Sequence, residues 1–473
     1  MSFIARKSRS RSVSSTSELQ EEPYTLDVLP PELLSYIFTF AWPKRRFAHQ
    51  VPFEVQLSHV CRKWREIALS TPVLWTKISI YAPDSLKWVP TYLLRSGTHL
   101  PLSLIIDVYR WDKRRRFSDA VTRATFATSI FSHLAPHYAR LDHLSIVCYY
   151  EFTAINIQTP LTSTSAPNLE AINIQFDRPF VTPGLQLQPP KIFTGGTPNL
   201  SFIDTPFINY FSKANLRKLT TLFLSIGESV PLSYTELVEL LTAPTALRHL
   251  SLSGWSNHLL SLWPFHRVNA DPDLRLSNLK SLRLIDSSML VVKFLLSVSA
   301  PQLESIWINT SLDNFHNFFD SQQINVPITG GGLSKFRAVK YLTIAEYNLG
   351  YVIKFSEAFP NVTHFAVPHL SFFNVEFLVS AMANWKDMES LIFTQARQSH
   401  WEKFAIAMEA MLEERSLTRH PIKSFIMDRD FRKMLEERIP HLSDLVEVLD
   451  LSPETYKEPW YTKSIGNPFA DEL

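Results

Sequence analysis

The sequence predicts an α/β chain. A small all-helical unit comes first, and an irregular solenoid of strand–helix repeats follows, its curved parallel sheet backed by outer helices. Three observations carry that expectation. The pattern Leu-x-x-Leu-x-Leu, with Ile, Val, Phe or Met substituting, returns between about residues 141 and 451 at a mean spacing of about 28 residues. At that period each unit buries its apolar face only against its neighbours. Leucine supplies 60 of 473 residues and glycine 11, which favours packed repeats over folds built on glycine-rich phosphate loops. Between Asp27 and Ile80 the apolar residues recur instead at helical spacing.

Four segments follow from these patterns: a Ser/Arg-rich tail (1–25), the helical unit (26–80), the repeats (81–452) and a C-terminal tail (453–473). The first tail has few apolar anchors to offset its ordering entropy. Hydrophobic residues make up 45% of the chain and charged residues 19%, an ordinary globular balance. A net charge of +2 implies no general affinity for nucleic acid or an anionic membrane. Two cysteines, Cys61 and Cys148, build neither a disulfide framework nor a cysteine zinc site, which fits a reducing compartment. The basic N-terminal residues lack a following apolar stretch, and the run Met289–Val298 is interrupted by Lys293. No membrane span is expected, and the expected location is the cytoplasm or nucleus.

In the helical unit, Pro30-Pro31-Glu32 places proline and an acid in a first helical turn. Leu33, Leu34, Ile37 and Phe38 continue that helix. A second helix is expected from about Val55 to Ala68, with Leu57, Val60, Cys61, Trp64 and Ile67 on one stripe. Arg62, Lys63, Arg65 and Glu66 take the opposite face. Ser70-Thr71-Pro72 closes it, and Leu74-Trp75 follows.

The repeats centre on residues 144, 172, 203, 222, 250, 282, 306, 342, 365, 391, 425 and 449. Each is expected to be one strand with alternate Leu or Ile side chains pointing into the stack. Helices fill the spaces. They are signalled by the capping box Ser233-Tyr-Thr-Glu236, by Asp286 before Met289–Val298, by Asn374 before Val375, and by the long run Trp401–Glu414. Proline at 167, 198, 244, 301 and 360 ends the inter-strand segments and favours extended backbone before the next strand.

Motifs for metal, phosphate or nucleophilic chemistry are missing. Thr329-Gly-Gly-Gly332 lacks the Lys-Ser/Thr of a phosphate loop. His249, His258 and His266 match no metal spacing, and Cys61 on an apolar stripe is a small hydrophobe. No catalytic residue, cofactor or metal is expected. The basic run Arg110–Arg116 reads as an exposed loop.

Leu29-Pro30-Pro31-Glu32-Leu33-Leu34, then Leu57-Ser-His-Val60-Cys61-Arg62-Lys63-Trp64-Arg65, then Thr71-Pro72-Val-Leu74-Trp75 together resemble an F-box. With the repeats, the chain is similar to fungal F-box proteins carrying leucine-rich-repeat-like regions. The connection Ala41–Glu54 is longer than in a compact F-box. The resemblance implies that the unit docks on a Skp-type adaptor, and so hangs the repeats on a cullin-RING ubiquitin ligase. It further implies that Leu29, Pro30, Leu33, Ile37, Val60, Cys61 and Trp64 form the partner-facing or F-box core surface, with Glu32 and Arg62 at the rim.

The expected function is a non-catalytic substrate receptor. The alternatives are a scaffold that binds the adaptor without directing ubiquitination, and a hydrolase or transferase on a leucine-rich frame. Residues alternating with the inward pair of each strand are expected to face solvent. There Phe223, Arg283, Trp307 and Tyr341, with Ser251 between, are candidate contacts for a protein substrate, because aromatic residues and arginine are enriched at binding hot spots.

Overall fold

The computed structural model describes residues 29–42, 51–114, 119–178, 190–206, 211–225, 234–254, 274–287, 291, 294–295, 297–311, 336–345, 352–368, 375–393, 401–418 and 420–452. The expected tails, Lys44–Arg46 of the long connection, Ser233, the Thr329 segment, Asn374, His258 and His266 lie outside them.

Helix α1 runs Pro31–Phe40 with Glu32 in its first turn, where the helix dipole favours an acid. Leu34 and Phe38 face inward, one helical turn apart. The expected helix 55–68 is corrected to two, α2 (Phe53–Val60) and α3 (Arg62–Ser70). Cys61 between them is extended (φ −153°, ψ 174°), and its Sγ accepts the Trp64 N–H at 3.4 Å as the cap of α3. Apolar spacing runs straight through this break, so periodicity could not reveal it. A 3₁₀ turn, Pro72–Trp75, then buries Leu74 and Trp75. The indole N–H of Trp75 donates to the Ala68 carbonyl at 2.9 Å, which satisfies a buried donor.

Fourteen parallel strands follow: β1 (Lys77–Ile80), β2 (Leu102–Asp107), β3 (Leu141–Tyr150), β4 (Ala171–Arg178), β5 (Phe202–Thr205), β6 (Thr221–Ser225), β7 (His249–Ser253), β8 (Ser281–Ser287), β9 (Ser305–Ser311), β10 (Tyr341–Ile344), β11 (His364–Val367), β12 (Ser390–Phe393), β13 (Ser424–Met427) and β14 (Glu447–Asp450). They form one sheet whose strand order is the chain order. One inward row reads Ile78, Leu104, Leu144, Ile172, Ile203, Leu222, Leu250, Leu282, Ile306, Leu342, Phe365, Leu391, Phe425 and Val448, each opposite the next. Eleven of the twelve expected centres stand in that row. The last is corrected by one residue: Val448 pairs with Phe425, and Leu449 pairs with Ile426 on the opposite face, packed with Ala366 and Ile392. The sheet also starts earlier than expected, since β1 lies within the 26–80 unit.

The connections carry α4 (Val89–Arg95), α5 (Tyr109–Lys113), α6 (Ala120–Leu134), α7 (Glu151–Gln158), α8 (Tyr234–Thr242), α9 (Val352–Ala358), α10 (Val375–Asn384), α11 (Trp401–Ser416), α12 (Arg429–Arg438) and α13 (Leu442–Leu445). The run Met289–Val298 is not helical to its end, because Val298 and Ser299 pair with Leu274 and Arg275 as a separate parallel ladder. One buried cluster extends from Leu34 through Trp75 and the inward rows to Val446. The helical unit and the repeats therefore share a core.

Two devices join successive units. Asparagine immediately before the leading apolar residue of a unit donates its side-chain amide to a carbonyl of the preceding unit: Asn168 to Ala139 (2.7 Å), Asn278 to Thr245 (2.8 Å) and Asn361 to Arg337 (2.8 Å). Buried arginines bind carbonyls in and just beyond the ends of helices. Arg140 donates to Leu100 O at 2.8 Å and also to Gly97 O. Arg415 donates to Lys386 O at 2.8 Å and to Met382 O at 2.5 Å.

Candidate functional site

Helix α1 carries two apolar stripes. Leu34 and Phe38 enter the core, while Leu33, Tyr36, Ile37 and Phe40, at i, i+3, i+4 and i+7, share another face. Phe40 is 85% exposed and Tyr36 71%, with Leu33 at 51% and Ile37 at 41%. A ten-residue helix that leaves four large apolar side chains in water exposes the kind of patch that marks an interaction site. Tyr36 and Phe40 were missed in the sequence, although the i, i+3, i+4, i+7 spacing from Leu33 was there to find them.

The seven residues expected at this surface separate into two groups. Pro30, Leu33, Ile37 and Val60 are exposed, whereas Leu29, Cys61 and Trp64 are half-buried. The ring of Trp64 lies 4.8 Å from that of Phe38, so it supports α1 from beneath. Lys63, read as solvent-facing, donates to the Leu29 carbonyl at 3.0 Å. At the rim, Arg62 pairs with Glu66 on the surface at 2.9 Å.

On the outer face of the sheet, Phe223, Ser251, Arg283 and Trp307 do form one continuous row across β6 to β9. Tyr341 belongs to the neighbouring row, opposite Ser305 and His364, and its ring lies 4.6 Å from His364. The expectation that these residues face solvent is corrected for three of them, since Phe223 is 7%, Ser251 6% and Trp307 8% exposed. Strands about 4.8 Å apart bring flat side chains flank to flank and so exclude water. Phe223 packs on Phe202 and Ala171, and Trp307 packs on Ala345 and Ile285. The Arg283 guanidinium sits 4.4 Å from the Trp307 ring centre, within cation–π range. Arg283 and Tyr341 remain half-exposed.

Beside that row, between β2 and β6, a cavity of about 260 Å³ opens at the carboxyl ends of the strands. Its lining includes Tyr109, Gln175, Asp177 and Asp204. The Tyr109 hydroxyl donates to Asp177, and the Gln175 amide donates to Asp204 at 3.2 Å. Burial pushes the Asp204 carboxyl up to about 7, against the opposing influence of the Gln175 hydrogen bond and the Arg283 charge.

The other polar clusters have structural geometry. His249 binds the Ser281 hydroxyl at 2.6 Å, and burial lowers its pKa to about 4, which keeps it neutral. Cys148 is buried and its thiol is pushed well up by desolvation, the reverse of an activated thiolate. The run Arg110–Arg116 is corrected in part. Asp112 within it is buried and accepts the Tyr149 and Tyr150 N–H groups at 3.0 and 2.8 Å and the Thr153 hydroxyl at 2.9 Å. Arg115 and Arg116 lie outside the described residues. Glu409 and Glu413 of α11 flank His441, at 3.5 and 3.6 Å from its Nε2. These are potential metal ligands by type, arranged as an imidazole between two carboxyl groups. Among the described residues, no helix is long and apolar enough to cross a membrane.

A helical unit with an exposed apolar helix face thus stands at the head of a long parallel solenoid-like sheet. Residues 26–81 match the F-box-like family, so an F-box-like domain stands at the head of the sheet. Domains of this kind bind Skp-type adaptors. No curated protein matches the chain.

Proposed function

We propose that the protein is the non-catalytic substrate-recognition subunit of an SCF-type cullin-RING ubiquitin ligase, present in the cytoplasm or nucleus. The F-box-like domain docks a Skp-type adaptor, and the leucine-rich-repeat-like region holds a protein substrate. The observation that carries this reading is the exposed apolar face of α1, Leu33–Tyr36–Ile37–Phe40, within the matched domain. An interface core of large apolar and aromatic side chains is what a tight helical complex needs. On the repeats, the half-exposed pair Arg283 and Tyr341 flanking buried Trp307 offers the substrate its first contacts.

The test is co-purification of the full chain with an adaptor and cullin, followed by substrate abundance in cells lacking the protein. Adaptor capture together with stabilisation of a bound protein supports the reading. Adaptor capture with no stabilised protein makes the chain a scaffold. Failure to capture any adaptor overturns the proposal.

A further inference from the structure

We propose that the cavity at the carboxyl ends of β2 to β6 receives a lysine or arginine side chain of the protein that the repeats hold, an assignment that rests on the substrate-receptor reading above. Its volume, about 260 Å³, lies below the roughly 300–1,000 Å³ of small-molecule pockets. It suits one long side chain.

The lining defines the chemistry. Two carboxylates, Asp177 and Asp204, reach it, and among its described lining residues there is no lysine, arginine or histidine. Asp177 and Gln175 stand two residues apart on the outer face of β4, and Asn173, two further back, pairs with Asp204 on β5. The register thus sets both acids toward the same opening. Tyr109 and Phe176 supply rings for an alkyl stem or a guanidinium plane. Lys113 and Arg178 stand at the cavity's edge: the Lys113 ammonium lies 5.4 Å from the Tyr149 ring and 5.7 Å from the Tyr109 ring, and Arg178 donates to the Tyr149 hydroxyl at 3.3 Å.

A buried carboxylate is costly unless it is paired, and the Gln175 hydrogen bond and the Arg283 charge offset only part of that cost for Asp204. Asp204 meets that cost at rest by holding its proton to about pH 7. An entering ammonium or guanidinium pairs with it and displaces that proton to solvent. Occupation of the cavity therefore tightens as pH rises through 7.

The full chain, purified with its adaptor, is titrated with N-acetyl-argininamide, N-acetyl-lysinamide and the uncharged N-acetyl-norleucinamide, with binding read by saturation-transfer NMR at pH 6 and pH 8. We expect the cationic amides to bind at least tenfold tighter than norleucinamide, and more tightly at pH 8. The double change Asp177→Asn and Asp204→Asn should remove that preference. Ser225→Arg, at the exposed rim, should block the cavity with a tethered cation without touching either acid. Equal binding of all three probes, or full binding by both variants, overturns the assignment. Tighter binding of free spermidine than of either amide assigns the cavity to polyamines and overturns it as well. Loss of probe preference with adaptor capture intact sinks the pocket alone, whereas failed adaptor capture with probe binding intact sinks the ligase reading alone.

Discussion

The Tyr92 hydroxyl of α4 donates to the carboxylate of Glu54, which lies on α2 and is wholly buried. This bond crosses from the F-box-like domain to the first strand–helix connection. It is sheltered by Trp75, whose ring lies 5.1 Å from that of Tyr92. The Arg95 guanidinium covers the same indole at 4.3 Å. The two parts of the chain are thus held at a fixed angle by side chains as well as by the shared core.

Tyr92→Phe leaves Glu54 without its phenol donor. Leaving a buried acceptor short of a donor costs about 1–3 kcal/mol, so the variant should lose stability on that order and be nicked more readily between α3 and β2 in limited proteolysis. An unchanged melting curve would show that the bond does not join the parts.

The stripe on α1 should separate binding from folding. Ile37→Asp and Phe40→Asp place charge on an exposed face, so stability should change by less than about 0.5 kcal/mol. Adaptor affinity should fall at least about a hundredfold if this face is the interface core. Phe38→Ala, one residue from Ile37 but buried, should instead cost about 3–5 kcal/mol of stability. Calorimetric titration with the adaptor and thermal melts distinguish the two outcomes.

Trp307→Ala should destabilise the protein by about 2–4 kcal/mol, because the indole fills a small cluster with Ala345 and Ile285. Arg283→Ala loses mainly the cation–π contact and should cost less than about 1 kcal/mol. Equal, negligible effects in denaturant titrations would mean that the ring is not packed in solution.

Arg140→Met and Arg415→Met remove cations that bind carbonyls in and just beyond the ends of α4 and α10. Each change leaves several buried acceptors short of a donor, at a cost of about 2–4 kcal/mol. Arg432→Met makes a useful control: its pairs with Glu436 and Asp450 are more open to solvent, and its loss should cost under about 1 kcal/mol.

Asp204 gives a pH signature. Its carboxyl is raised from 3.8 in the unfolded chain to about 7 in the fold. The folded form therefore holds a proton that the unfolded form releases between those values, and stability falls as pH rises across that window. Asp204→Asn carries no such loss. Allowing for water at the cavity mouth, it should be more stable than the parent by on the order of 1–2 kcal/mol at pH 8. The gap should shrink toward pH 4. A gap independent of pH in thermal melts would contradict the raised value.

The repeat centres were legible because most of them obey one rule, an apolar residue every second position behind a leading Leu or Val, with Met388 and Ile422 leading two units and Thr205 ending another. Strands β1 and β2 escaped because Trp75 and Pro101 stand where later units carry that leading residue, three before Ile78 and Leu104. Trp75 serves the same end and is buried, but a tryptophan does not announce a leucine pattern. The break at Cys61 was hidden for a different reason. Helical spacing on both sides kept the same phase, and only the backbone shows that the chain turns. On α1 periodicity revealed apolar residues on both faces without telling which face the protein buries. The cavity was unreadable, since it joins residues near 109, 175 and 204 that only the ladder brings together.

Because strand order is chain order, every strand lies beside the one made just before it. As the polypeptide leaves the ribosome, α1 to α3 and β1 can close over Trp75 first, and each later strand then finds its template already complete. Among the described residues, no strand of this sheet waits for a distant partner or holds open a gap for one. Contacts between neighbouring units keep sequence separations short, which favours rapid assembly and spares the nascent chain long exposure of unpaired edges. The F-box-like head can thus be finished while the far end of the sheet is still being synthesised.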